Sequence, residues 1–365
     1  VLEPGQSVTD YGDITLAAGG AILGVTLGCL ISVIYLHVKY RGAGSALADA
    51  AGTPKSGRAT MKELLSIAVP ITLGSAGLQI INLFDTMIYM RRLELGLGWS
   101  VEMAENLKGV YNYQQTIFAL PCAFIPTITI ACIPAITAAL TRRELDNVRA
   151  TEESAIRTMA LVAMPCAAGL FAMAEPVIRL LCTSYTPEQL AVATKMLMIL
   201  GVAVIFNSLV LLFNAFMQAH GDVTSPVINM FIGGIVKIAV NYVLVGIPEI
   251  NIVGAPVGTL VCYVVITVLN YFALRRCVKG NLPIFRNLIR PLIASAIMGA
   301  GTFMVYRVLR TLLPSGRLAC LAALLFAVCL YLILAVALRC ITYEDCMLLP
   351  KGEKIAKILR IREKN

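Results

Sequence analysis

From residue 14 to residue 338 this chain passes through stretch after stretch of apolar residues with no charged side chain, and that pattern constrains its fold more than any other feature. A bilayer-spanning helix needs about 20 consecutive apolar residues. Uncharged runs on this scale are Ile14–Leu36, Leu64–Phe84, Gly109–Thr141, Met196–Ala219, Ile250–Leu274 and Leu318–Leu338. Thr158–Ala174 is shorter and ends at Glu175, Val223–Gly246 is interrupted only by Lys237, and Pro291–Tyr306 is bracketed by Arg290 and Arg307. Those two arginines can snorkel to the interface. The runs are continuously apolar rather than alternating, which excludes a β-barrel. Only 14% of residues are charged, against about 25% in soluble domains. The expected fold is all-α, a polytopic membrane protein of about nine transmembrane helices.

Orientation follows from Lys and Arg in the short connections. Segments 37–63, 139–157, 217–223, 275–290 and 339–365 hold 21 of the 30 basic residues. The opposite segments, 91–108, 179–195, 247–253 and 307–317, hold eight. The first set is therefore cytoplasmic, and the chain is expected in the cell (plasma) membrane. The net charge of +9 is explained by this asymmetry and by anionic headgroups, with no nucleic acid partner. An odd number of helices with an inner C-terminus puts the N-terminus outside, which suggests that earlier helices precede this chain. Residues 38–62, rich in Gly, Ala and Ser, read as a flexible cytoplasmic linker. The tail from Lys351 to Lys364 reads either as an amphipathic helix on the inner leaflet or as a frayed basic end.

Polar side chains inside the apolar runs carry the functional information, because they are costly in hydrocarbon unless they face protein or a wet cavity. Lys237 is the sharpest of them, with Asn241 one turn later and Asn229 two turns earlier. Its ammonium can hold an anionic substrate or pair with a carboxylate. Asp85, with Asn82 on the same face, can serve cation or proton coupling, or pair with Lys237 or Arg92. Gln114 and Gln115 can bind sugar hydroxyls or bridge helices, and bridging is favoured. Asn207, Asn214 and Gln218 read likewise as helix bridges. The substrate-binding candidates are thus Lys237, Asn241, Asp85, Asn82, Gln114 and Gln115. The two histidines, His37 and His220, are far apart in sequence, and no nucleotide-binding or nucleophile motif is present, so no catalytic residues, metal or cofactor are expected. The eleven cysteines lack metal-ligand spacing and read as small packing residues.

Two segments carry a resemblance. YNYQQTIFALPCAFIPTITIACIPAITAAL resembles the eighth helix of multidrug/oligosaccharidyl-lipid/polysaccharide (MOP) exporters. QAHGDVTSPVINMFIGGIVKIAVNYVLVGIPEINIVGAPVGT resembles their tenth-to-twelfth helix region. Within that superfamily the chain is similar to the stage V sporulation protein B type of polysaccharide biosynthesis protein, over essentially its whole length. The resemblance implies a MATE-like fold in which two lobes surround a cavity opened to each side in turn. It implies that residues 1–60 hold the last helix of the first lobe plus a linker, 61–276 the second lobe, 277–340 two additional helices, and 341–365 a basic cytoplasmic tail. It also implies a flippase for undecaprenyl-diphosphate-linked glycan or lipid II-like precursors, with a cation or proton as a candidate coupling partner. The lipid II flippases of the superfamily usually carry an Arg and a Glu just before the Leu-Pro of the eighth helix. Thr116 and Ala119 stand there in this chain.

Two other readings compete. A cation-coupled exporter of drug-like cations shares the fold and would use acidic and aromatic cavity groups rather than Lys237. A non-transporting scaffold for envelope-synthesis enzymes would tolerate loss of the buried charges.

Overall fold

The structure is a computed structural model that describes residues 11–47, 56–278 and 283–340. All regular structure among these residues is helical. The helices are α1 (Tyr11–Leu47), α2 (Gly57–Arg91), α3 (Val101–Cys122), α4 (Ile125–Thr141), α5 (Leu145–Ala172), α6 (Ala174–Leu181), α7 (Pro187–Ala219), α8 (Thr224–Val245), α9 (Gly254–Cys277), α10 (Ile284–Leu312) and α11 (Gly316–Ala337). A π-helical turn over Arg92–Gly96 continues α2.

The chain divides into two units, Val1–Val69 and Pro70–Asn365, with the boundary inside α2. In the first unit α1 runs for 37 residues, about 55 Å at the helical rise, which exceeds the roughly 30 Å hydrocarbon core. The flexible linker expected over 38–62 is therefore helical at both ends, since α1 continues to Leu47 and α2 begins at Gly57. Once a helix is nucleated in the membrane, each added residue gains a hydrogen bond, and the alanines here propagate it readily. Residues 48–55 and the basic tail 341–365 lie outside the described residues.

Eight helices, or helices joined end to end, are long and apolar enough among the described residues to cross a membrane. They overlap eight of the nine expected runs, and the ninth, Leu64–Phe84, lies within α2, which is not among the eight. The run expected as one helix over Gly109–Thr141 is two, α3 and α4, interrupted at Ala123 and Phe124. Pro126 has no N–H to offer the carbonyl of Cys122, so the ladder breaks there. α3 packs along one part of α7 and α4 along another, so the two form one bent span. α5 and α6 meet in the same way at Met173, where Pro176 cannot bond to the carbonyl of Ala172.

α7 is the most deeply buried span and touches α3, α4, α5, α6 and α9. Phe213, Phe216, Ile156 and Met159 anchor one apolar cluster around it. Tyr89, Leu93, Ile178 and Leu197 anchor a second. α8 packs on α9, while α10 lies against α5 and pairs with α11. Exposed Ile228, Ile235, Leu292, Ile297, Leu325 and Ile333 leave broad apolar faces on α8, α10 and α11, as expected of surfaces that meet lipid.

Polar caps mark where spans leave the membrane. Thr186 and Gln189 form a reciprocal capping box at the start of α7 (3.3 and 3.0 Å). At the start of α8 the Asp222 carboxylate accepts from the backbone N–H groups of Thr224 (3.2 Å) and Ser225 (3.0 Å). Burial works to raise the Asp222 pKa, but these bonds, with one from Ser225's hydroxyl and one from the Cys277 thiol, outweigh it and hold the carboxyl below its ordinary value. A depressed folded-state pKa gives stability that is present above the unfolded carboxylate pKa and lost as pH falls through the folded one. Asp222→Ala is expected to lower stability by about 1 kcal/mol or less, since the site is partly solvated. Thermal unfolding in detergent should show a lower Tm for the variant at neutral pH, with the gap closing in strong acid.

Candidate functional site

The polar site begins with two glycines. A Cβ at Gly233 would strike Ile266 of α9, and one at Gly234 would strike Ile81 of α2. The two glycines thus leave room for Ile81 of α2 and Ile266 of α9 against α8. One turn further along, Lys237 on α8 and Asp85 on α2 are brought face to face. Lys237 Nζ lies 3.0 Å from Asp85 Oδ2. Asn241, the next turn of α8, donates from Nδ2 to Asp85 Oδ1 at 2.6 Å. Both carboxylate oxygens are therefore engaged by one face of α8. The Asp85 side chain keeps 4% of its surface exposed and that of Lys237 14%. Such a pair is tolerated in a low-dielectric interior because each charge has a partner and the carboxylate a further donor.

α9 completes the arrangement. A Cβ at Gly258 would fall on Asn241 Oδ1 and approach the carbonyl of Lys237. Asn241 can aim at Asp85 only because that position is glycine. From α3, Tyr111 lies within electrostatic reach of both charges. Its hydroxyl sits 3.0 Å from Thr259 Oγ1 and accepts from Gln115 Nε2 at 2.6 Å. Four helices thus contribute polar groups to one buried locus.

The six expected residues divide. Asp85, Lys237 and Asn241 come together, and Gln115 joins through Tyr111. Gln114 is buried but donates to the Val110 carbonyl in its own helix (3.4 Å). Asn82 is exposed, and its carbonyl takes the Thr86 hydroxyl. Of the alternatives open for Asp85, pairing with Lys237 is the one observed. Arg92 instead stacks on Tyr242, with Cζ 4.4 Å from the ring centroid, and donates to that residue's carbonyl at 3.2 Å. Lys237 is accordingly not a free cation in this conformation, because Asp85 neutralises it. Asn229, placed near the lysine by spacing alone, turns to α9.

Two further polar groupings were not legible from spacing. Asn229 donates to Asn270 (2.9 Å), which donates to Asn214 (2.8 Å), a buried amide chain across α8, α9 and α7. Asn214 was read as a helix bridge, and it is one. Asn270 has no second amide within two helical turns to mark it. Near the start of α5 and just past the end of α7, His220 Nε2 lies 2.8 Å from Glu152 Oε1, with side-chain exposures of 9% and 1%. Their separation of 68 residues left no signal. Among the described residues no group of three or more His, Cys, Asp or Glu side chains is placed to hold a metal ion.

Comparison with known proteins adds three findings. The family model for "Lipid II flippase MurJ" matches residues 6–334. An uncharacterized membrane protein, YabM, of Bacillus subtilis (strain 168) is 29% identical over 311 residues, 83% of this chain and 56% of that protein. Stage V sporulation protein B of the same organism is 26% identical over 263 residues, 71% of this chain and 49% of that protein. The chain spans about half the length of the curated relatives it matches. Among solved structures, a lipid II flippase MurJ in an inward closed conformation overlays with a TM-score of 0.58 at 13% identity, covering 83% of this chain and 59% of that one. That likeness is one of fold.

Proposed function

This chain belongs to the lipid II flippase MurJ family, a multi-pass family of the plasma membrane, and on that premise we propose that it works in moving undecaprenyl-diphosphate-linked glycan or peptidoglycan precursors across the bilayer. The observation that carries this reading is the mostly buried Asp85–Lys237 pair, with Asn241 bonded to the carboxylate. A charged pair in a dry span is poor evidence of stability, since apolar packing of equal volume serves as well or better. Its presence is better explained by use.

The chemistry of the substrate matches. A diphosphate–sugar headgroup is anionic and cannot enter hydrocarbon unaided, whereas its prenyl chain remains in lipid. A cation held by a carboxylate is a cation in reserve. When a diphosphate approaches, it competes with Asp85 for the Lys237 ammonium, and the released carboxylate keeps its bond from Asn241 and can take up a proton or a coupling cation. Gln115 and Tyr111 offer donors and acceptors to sugar hydroxyls nearby. In this reading residues 61–276 form one lobe of an alternating-access transporter and residues 277–340 an added helix pair. The absence of an Arg and a Glu at Thr116 and Ala119 moves the anion contact away from that part of the eighth helix. Catalysis has no place in the scheme.

The test is depletion of the full-length protein in a cell that depends on it. The undecaprenyl-diphosphate-linked pool should rise severalfold, and the fraction reached by a membrane-impermeant label should fall. A normal pool with normal labelling would remove the flippase reading and leave the drug-export or scaffold alternatives.

A further inference from the structure

The ends of α6 and α10 and the start of α11 enclose a cavity of about 610 Å³ on the side that loop charge places outside. Arg179, Arg310 and Arg317 line it, together with Tyr306 and Ser315. We propose that this cavity binds the phosphate-bearing headgroup of an outer-leaflet lipid, a role independent of the transport reading above.

The charge is concentrated beyond what the loops require. The outer segments hold eight of the 30 basic residues, and three of those eight converge on this one cavity. Arg179 uses Nε to hold Glu175 at 2.8 Å, which leaves its two terminal nitrogens available. Arg310 and Arg317 have no carboxylate partner among the described residues. The wall therefore carries a net positive charge, in a concave site of the size that holds small ligands. Guanidinium forks match phosphate oxygens geometrically. Ser315, at the N-terminus of α11, makes no side-chain cap bond, and a helix N-terminus favours an anion nearby.

Two observations favour a lipid over a soluble phosphate. Leu180, Tyr306 and Leu313 give the cavity an apolar wall, and all three belong to one apolar cluster. Nearby, Val308 (58% exposed), Leu312 (72%) and Leu318 (55%) leave an apolar surface on the outward faces of α10 and α11, so the ends of these helices lie where lipid is at hand. Arginine at a bilayer surface attracts anionic headgroups, and the attraction fades within a Debye length as salt rises.

The experiment uses the full-length protein in neutral detergent, read by native mass spectrometry and by thermal shift. The probes are a short-chain phosphatidylglycerol, a phosphatidylcholine of the same chains, and inorganic phosphate. Phosphatidylglycerol should bind saturably, weaken with salt, and bind at least about tenfold more tightly than the zwitterionic lipid. The double variant Arg310→Gln/Arg317→Gln should lose about tenfold or more of that affinity. Arg286→Gln, an exposed arginine at the other end of α10, should leave it unchanged. Both arginines are exposed, so their removal should not impair folding, and an unshifted Tm without lipid checks this. Unchanged phosphatidylglycerol binding in the double variant, or equal binding of phosphatidylcholine, would overturn the site. Protection by inorganic phosphate alone, matching that by the lipid, would overturn the lipid assignment and make this a site for soluble phosphate compounds.

Discussion

Lys237→Met in the full-length protein is expected to abolish its support of growth in a strain that depends on it, and to lower stability by about 3–5 kcal/mol. The stability loss has a plain cause. Asp85 is left buried, with Asn241 as its remaining partner, and an uncompensated buried charge is far more harmful than no charge. The double variant Asp85→Asn/Lys237→Met separates the two effects. It removes both charges, keeps an acceptor for Asn241, and should recover most of the lost stability. If the ammonium contacts substrate phosphate, growth stays abolished although the protein is stable and present in the membrane at its normal level. Growth that returns with stability would show the pair to be a brace between α2 and α8, and the substrate role of Lys237 would fall.

The second large effect is expected at Gly258. Gly258→Ala places a methyl group where Asn241 Oδ1 now sits. The amide must leave, and its 2.6 Å bond to Asp85 goes with it. Overpacking of this kind costs about 1–3 kcal/mol, with loss of the buried bond included. Adding Asn241→Ala vacates the space, so the double variant should be more stable than the sum of the single losses by about 1 kcal/mol or more. Gly109→Ala on α3 is the control, because nothing lies within 4 Å of a Cβ built there. Alanine in an open helical position should be neutral or slightly stabilising. Unfolding of Gly258→Ala, Asn241→Ala, their double variant and Gly109→Ala in detergent measures all of this, and simple additivity at 258 and 241 would show that the two residues do not share the space.

Much of the architecture was legible because membrane spans are a local property. Twenty uncharged apolar residues must lie in lipid or in a helical core whatever surrounds them, so the runs located the helices. Where the reading erred, the errors were also local. Pro126 divides a span that composition alone treats as continuous, and α1 carries helix past the length that crosses a bilayer into the expected linker. Lys237, Asp85 and Asn241 could be singled out as anomalous because charge and amide are expensive in hydrocarbon.

Which of these anomalies meet was another matter. Spacing placed Asn82 beside Asp85 and Asn229 beside Lys237, yet Asn82 is exposed and Asn229 joins Asn270 and Asn214. Asp85 had two candidate cations, and it pairs with Lys237 while Arg92 is taken up by the ring and carbonyl of Tyr242. The sequence by itself determined that this chain is a helical membrane protein and that a few costly polar groups lie within its spans. Only the tertiary structure decided that Asp85 neutralises Lys237 and that three arginines from α6, α10 and the start of α11 face one cavity. The physical reason is that insertion into lipid depends on each segment's own side chains, whereas pairing depends on which faces of distant helices come within hydrogen-bond distance, and that is settled by the fit of backbones and glycines across the whole bundle.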